Sequence, residues 1–263
     1  MDLGLRERAC VVTGASQGIG LATARALCAE GARVLMIARG ADALEKAVAS
    51  CEGGTAEVLA LDVTEAAAGE RALEACRSAF GEPWALVNNA GTTYMKPLDE
   101  LTDEDWQLQW DLNVMASMRL MRAFAPVMAQ EGGGRIVNVS SSSAKRPSLR
   151  NAAYSVGKTA QLSLSRVFAD QYARSGVLVN SVTPGMADTP LWLAPGGLAD
   201  QVVAAQGGDR DEVLAKLRAA VPVGRFGTPE EIAAAISFLC SEQAAFVTGS
   251  AWSVDGGSVP GIL

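Results

Sequence analysis

Short β-branched or aliphatic runs alternate along the chain with longer Ala-rich stretches in which apolar residues recur every three or four positions. The first kind reads as strands and the second as amphipathic helices, and their alternation is the pattern of parallel strands joined by crossover helices. Strands are expected at residues 9–13, 33–38, 57–61, 85–88, 135–140, 177–182 and 251–254. Most are apolar throughout, as strands covered on both faces must be. Helices are expected near 18–30, 41–50, 65–80, 103–130, 152–175 and 229–240. The last opens on Thr228-Pro229-Glu230-Glu231, a capping threonine with proline at the first helical position and early acids. The expected fold class is α/β, a doubly wound seven-stranded parallel sheet with helices on both faces.

No Ser/Gly/Pro-rich linker and no internal repeat divides the chain, so residues 1–263 are expected to form a single domain. Regular alternation breaks only at 185–227, where Pro190, Pro195, Gly196, Gly197, Gly207, Gly208 and Pro222 punctuate two helical pieces. A long broken excursion in a compact domain is more often functional than filler, and a substrate lid is expected at about 186–227. Its Met186, Leu191, Trp192, Leu193, Leu198, Val202 and Val203 suit an apolar ketone better than a sugar. The same stripe also fits a small amphipathic helix packed on the domain.

The composition, 49% hydrophobic and 19% charged over 263 residues, excludes disorder as the main state. A net charge of −7 disfavours nucleic-acid and anionic-membrane partners. Histidine is absent, which removes the commonest general base and metal ligand together; no metal is expected. The cysteines Cys10, Cys28, Cys51, Cys76 and Cys240 are odd in number and scattered, and they read as core residues in a reducing compartment. No segment approaches ~18 uninterrupted apolar residues, and a soluble cytoplasmic protein is expected.

Thr13-Gly14-Ala15-Ser16-Gln17-Gly18-Ile19-Gly20 follows the first strand and opens the first helix. Its glycines stand where a dinucleotide pyrophosphate would meet backbone N–H groups and a helix N-terminus. The expected architecture is thus a single-domain Rossmann fold. After the second strand, where a carboxylate would hold the 2′-hydroxyl of NAD, stands Arg39, which can pair with a 2′-phosphate. NADP is favoured and NAD remains open, since Gln17 adds no second positive charge and Arg39 also fits as an exposed strand-end residue.

Tyr154 and Lys158 are four residues apart on one expected helix face. An ammonium near a phenol favours the phenolate and lowers a pKa that is otherwise near ~10. Thirteen residues before Tyr154 comes Ser141, at the carboxyl end of the fifth strand, although Ser140, Ser142 and Ser143 crowd it. Phenol and hydroxyl could then converge on one substrate oxygen.

With these motifs, Asn88-Asn89-Ala90-Gly91, Asn113 and Pro184-Gly185 stand in order along nearly the whole chain, and together the sequence resembles the short-chain dehydrogenase/reductase family. The resemblance implies hydride transfer between a nicotinamide cofactor and a secondary alcohol or ketone. It implies a catalytic set of Asn113, Ser141, Tyr154 and Lys158, in which Asn113 holds a water leading from Lys158 to solvent. It implies a cofactor set that joins Asp62, Val63, Asn89, Ala90, Gly91, Pro184, Gly185 and Thr189 to Gly14, Ser16, Gln17, Gly18, Ile19, Gly20 and Arg39, with Tyr154 and Lys158. Asp62 would bond the adenine amine and Thr189 the nicotinamide carboxamide. Asp62 also fits as a helix cap, and Asn113 as a buried amide that only joins elements. A homotetramer is implied too, and the surplus apolar residues of the fourth and fifth helices, from Trp106 to Met121 and from Leu162 to Phe168, suit helix pairing between subunits. Two alternatives stay open: a cofactor-sensing regulatory protein without turnover, and a 3-oxoacyl-(acyl carrier protein) reductase. For the latter, Glu131 puts an acid where a base would hold the carrier, while Arg174, Lys145 and Arg146 keep the reading alive.

Overall fold

The computed structural model describes residues 2–261. Seven strands, β1 (Ala9–Thr13), β2 (Arg33–Ala38), β3 (Thr55–Ala60), β4 (Pro83–Asn88), β5 (Gly134–Val139), β6 (Val177–Pro184) and β7 (Ala251–Val254), form one sheet in the order β3-β2-β1-β4-β5-β6-β7. Every pairing is parallel. The order reverses between β1 and β4, and a crevice opens outside the carboxyl ends of the strands at such a switch point.

Eleven helices are described: α1 (Gly18–Ala29), α2 (Ala41–Val48), α3 (Ala68–Phe80), α4 (Asp103–Trp110), α5 (Ala116–Gln130), α6 (Ser142–Lys145), α7 (Ala152–Tyr172), α8 (Pro190–Leu193), α9 (Leu198–Gln206), α10 (Arg210–Ala219) and α11 (Pro229–Cys240). The sheet alternates its side chains between two cores. Cys10, Val12, Val34, Met36 and Val137 meet Leu27, Leu44, Ile232 and Ile236 of α1, α2 and α11 on one face. Val11, Leu35, Ile37, Leu86 and Ile136 meet Ala72, Leu120, Phe124 and Ala169 of α3, α5 and α7 on the other. Phe124 is fully buried, so Phe124→Ala costs about 3–5 kcal/mol. The expected cap of α11 forms, with Thr228 Oγ1 accepting from Glu231 N–H and the Glu231 carboxylate accepting from Thr228 N–H.

Three features differ from the sequence expectation. The helix expected over 103–130 is interrupted by a π turn at Asp111–Met115, where Ala116 N–H bonds the Asp111 carbonyl five residues back. Helix α3 starts at Ala68, not near 65. The excursion holds three helices, because Gly207 and Gly208, both at positive φ, separate α9 from α10. These helices enclose a small core of Ala199, Leu214, Val221 and Phe226, with the Trp192 ring 5.5 Å from Phe226. Much of the excursion's apolar stripe is therefore spent on internal packing.

Candidate active site

The turn after β1 is built by glycines for two reasons. Gly14 and Gly18 adopt φ of +64° and +56°, where a Cβ is strained. A Cβ on Gly20 would lie 2.3 Å from the Gly14 carbonyl oxygen. The turn is braced from β4: Asn89 Nδ2 donates to the Thr13 carbonyl at 2.9 Å, and Thr13 Oγ1 accepts from the N–H groups of Asn89 and Ala90, each at 3.0 Å. Asn89 thus shapes the wall as well as lining it.

That turn floors a cleft of about 1400 Å³ at the strand carboxyl ends. Of the expected cofactor set, Gly14, Ser16, Gln17, Gly18, Ile19, Arg39, Asp62, Val63, Asn89, Ala90, Gly91, Pro184, Gly185, Thr189, Tyr154 and Lys158 line it, and Gly20 stands behind the wall. Arg39 is exposed at the rim. Asp62 Oδ1 accepts from Thr64 N–H at 2.9 Å and Thr64 Oγ1 at 2.7 Å, which holds its carboxyl below the usual range. Because α3 begins only at Ala68, Asp62 does not cap it. Thr189 is buried at the start of α8, with its side chain over Gly18.

The candidate chemical groups meet on the β5 side. Helix α7 stacks Tyr154 and Lys158 on one face, with Lys158 Nζ 5.8 Å from the Tyr154 ring centroid. Of the four crowded serines, Ser141 is the one whose hydroxyl acts on the Tyr154 phenol, favouring its phenolate. Ser140 Oγ instead donates to the Lys158 carbonyl at 3.0 Å, and Ser143 donates its N–H to Ser141 Oγ at 3.0 Å. Burial pushes the Tyr154 pKa up, and the Ser141 hydroxyl only partly offsets this. Lys158, 2% exposed, is pushed down to about 7 by the same desolvation. The expectation that the ammonium alone sets a low phenol pKa thus meets an opposing burial effect on both partners.

Asn113 sits fully buried in the π turn and does not reach the cleft wall. The wider turn leaves the Gln109 carbonyl open to side chains, and Asn113 Nδ2 donates to it at 3.1 Å and to Gln109 Oε1 at 2.9 Å. Asn113 Oδ1 has no protein partner. A Cβ on Gly91 would lie 3.0 Å from that oxygen and 3.4 Å from Lys158 Nζ, so only the bare glycine keeps the space beside both atoms open.

Several polar residues at the site are not apparent from sequence patterns. Gln161 and Ser117 form a buried chain from Lys158. The cleft is crossed where Gln201 Oε1 of α9 accepts from Met95 N–H at 2.8 Å. Tyr94 OH donates to Asp105, which also pairs with Lys96. Ser148, Arg150, Asn151 and Gln201 give the substrate end more polar groups than the excursion's apolar residues suggest.

A doubly wound sheet with a glycine turn at its switch point and a Ser–Tyr–Lys cluster beside the same cleft defines a nucleotide-dependent oxidoreductase fold and site. Residues 14–258 match the family described as Enoyl-(Acyl carrier protein) reductase, and the chain belongs to the short-chain dehydrogenase/reductase family. It is 37% identical to L-sorbose reductase from Gluconobacter frateurii, whose crystal structure is complexed with NADPH and L-sorbose, with all of both chains covered and a TM-score of 0.93. It is 34% identical to D-threitol dehydrogenase of Mycolicibacterium smegmatis, covering 97% of this chain and 94% of that protein. It is 35% identical to the 3-oxoacyl-(acyl carrier protein) reductase of Escherichia coli, covering 94% and 95%. The chain is an enzyme of this family acting on CH–OH or C=O groups. The regulatory alternative finds no support among these relatives, all of which are enzymes. No helix among the described residues is long and apolar enough to cross a membrane.

Proposed function

We propose that the chain reduces the carbonyl of a small polyhydroxylated ketone with NADPH, and oxidises the matching secondary alcohol, with Tyr154 as the acid/base group. The observation that carries this reading is the gathering of Ser141, Tyr154 and Lys158 on one cleft wall, with Lys158 one turn along α7 and its Nζ 5.8 Å from the Tyr154 ring centroid. The glycine turn fits a pyrophosphate because a Cβ at Gly14 would fall 2.9 Å from the Ala90 Cα, so the bare backbone is what the cleft presents. Arg39 at the rim suits a 2′-phosphate, and the sorbose reductase relative binds NADPH.

NADPH, when bound, supplies the hydride. The protein's own groups handle the charge that develops on the substrate oxygen. Tyr154 gives that oxygen its proton, and Ser141 hydrogen-bonds it. Lys158, when charged, favours the phenolate that remains. Asn113 turns its unpaired Oδ1 to the space beside Gly91 and Lys158, which suits a water on the path that returns the proton.

A hydroxyl-bearing substrate is supported by Ser148 and Asn151 at the cleft and by the sorbose and threitol relatives. The apolar ketone expected from the excursion is not carried forward. A carrier-bound substrate is disfavoured because Lys145 is already engaged by the Ala251 carbonyl and Ser253 Oγ. We place the enzyme in the cytoplasm as a homotetramer, with the excursion closing as a lid over one domain. The test is NADPH consumption by purified enzyme with matched panels of ketoses and hydrophobic ketones. Faster turnover of ketoses is expected; turnover of hydrophobic ketones alone would return the substrate to the apolar class, and none with either would remove the proposal.

A further inference from the structure

A charged Lys158 offers three N–H donors from a position 2% exposed, so each donor needs an acceptor close by. The Val139 carbonyl takes one at 2.9 Å and Gln161 Oε1 takes another at 3.2 Å. Gln161 is fully buried and follows Lys158 by three residues on α7, which puts both on one face. Its Nε2 donates to Ser117 Oγ, in the first turn of α5, at 2.7 Å. That bond fixes the orientation of the amide. Both of its ends are matched as they stand, whereas reversal would set the NH₂ group against the ammonium.

Among the described residues, no charged side chain shares this task. Helices α4, α5 and α6, the π turn, β5, β6 and the short turn at Ala173–Ser175 pack against α7. Arg135 of β5 donates to the Ser241 and Gly134 carbonyls, and Arg174 is exposed. Asp105 is paired with Lys96, Arg119 donates to the Thr64 carbonyl, and Lys145 donates to the Ala251 carbonyl. Asp111 lines the cleft, and Tyr154 is the titratable neighbour on α7 itself. Burial lowers the Lys158 pKa, and the acceptors around Nζ act against that effect.

We propose that Gln161, oriented by Ser117, is a positioning residue for Lys158, a neutral acceptor that holds the ammonium charged beside Tyr154 without cancelling its field. The inference rests on the reading of Tyr154 as the acid/base group. A leucine would fill the same space and remove an acceptor from a buried charge. A glutamate would hold the charge and also neutralise it as seen from the phenol. The glutamine amide alone of these three does the first without the second.

The test is the pH profile of kcat/KM for alcohol oxidation in the intact enzyme. Gln161→Leu is expected to move the ascending limb up by about one pH unit, a roughly tenfold loss at any pH below it. Gln161→Glu should move it in the same direction. Ser117→Ala should move it less, and this variant decides the matter if Gln161→Leu does not fold. Profiles unchanged in the folded variants, with Tyr154→Phe inactive, would overturn the inference and leave the mechanism intact. An active Tyr154→Phe would overturn the mechanism instead.

Discussion

Gly20 on α1 and Gly14 in the turn before it approach so closely that a Cβ at position 20 would sit 2.3 Å from the Gly14 oxygen and 2.5 Å from Asn89 Nδ2. The contact ties the helix N-terminus, the glycine turn and β4 into one unit. Gly20→Ala must therefore push the turn away from Asn89. A loss of NADPH affinity of tenfold or more is expected in a fluorescence titration, and wild-type affinity would show that the turn tolerates the displacement.

Arg39 stands exposed at the cleft rim after β2, with Ser16 and Gln17 on the same wall. An exposed guanidinium is free to pair with a phosphate, and a carboxylate at the same place repels it. Wild-type enzyme is expected to bind NADPH more tightly than NADH, and Arg39→Asp to lose most of that preference. Tighter binding of NADH by the wild type would contradict the assignment.

Tyr154→Phe keeps the ring and removes the phenol hydroxyl that shares the cleft wall with Ser141. Turnover is expected to fall at least ~10²-fold while cofactor affinity stays nearly constant. Ser141→Ala removes the hydroxyl whose effect on Tyr154 opposes that of burial, so the ascending limb of its pH profile should lie at higher pH than that of the wild type. A limb shifted downward would mean that Ser141 acts otherwise.

The sheet was legible because apolar runs and glycine turns are local signals: Thr13 to Gly20 and Tyr154 with Lys158 read directly. The π turn was not. A π turn shifts the phase of the following apolar stripe by about 100° but has no residue-type signal of its own, so Asn113 reads as a position in one long helix, while in the structure the wider turn frees the Gln109 carbonyl for its amide. Gln161 escaped for a related reason. Its spacing to Lys158 is visible, but the partner that orients it, Ser117, lies 44 residues away in the chain. The serines after β5 are told apart by their surroundings, since Ser140 Oγ is spent on the Lys158 carbonyl and Ser141 Oγ accepts from Ser143 N–H, whereas spacing alone fits neighbouring positions almost equally.

The apolar surplus expected to drive assembly is smaller than the sequence implies. Met121 is fully buried, and Leu112, Leu164 and Phe168 pack on the core of the α5 face. What remains open on α4 and α7 is Leu108 and Val167, each 64% exposed, with Trp110 and Val156. These two helices pack on each other, so the open residues belong to one helix pair. Burying such side chains between subunits stabilises by about 1.5–3 kcal/mol each. A homotetramer is expected by light scattering, and Val167→Asp should reduce the assembly. A monomeric wild type at micromolar concentration would leave the helix pair without that role.

Lys158 also makes the stability of the fold depend on pH, with a sign that can be worked out. Burial lowers its pKa from 10.5 to about 7. Between those values the unfolded chain binds the proton that the folded chain releases, so stability from this site rises with pH across the window. Below pH ~7 the full cost of burying the charge is present, at most ~5 kcal/mol for a shift of this size. Lys158→Met removes that cost and leaves the Val139 carbonyl and the Gln161 amide unpaired, a penalty of about 1–3 kcal/mol each that does not depend on pH. The difference in Tm, variant minus wild type, is therefore expected to be more positive at pH 6 than at pH 9.5, while activity is lost at both. Other titrations are common to the two proteins and drop out of the difference. A Tm difference that stays constant with pH would mean that the ammonium is solvated in the folded enzyme and that its low pKa is not a property of the native state.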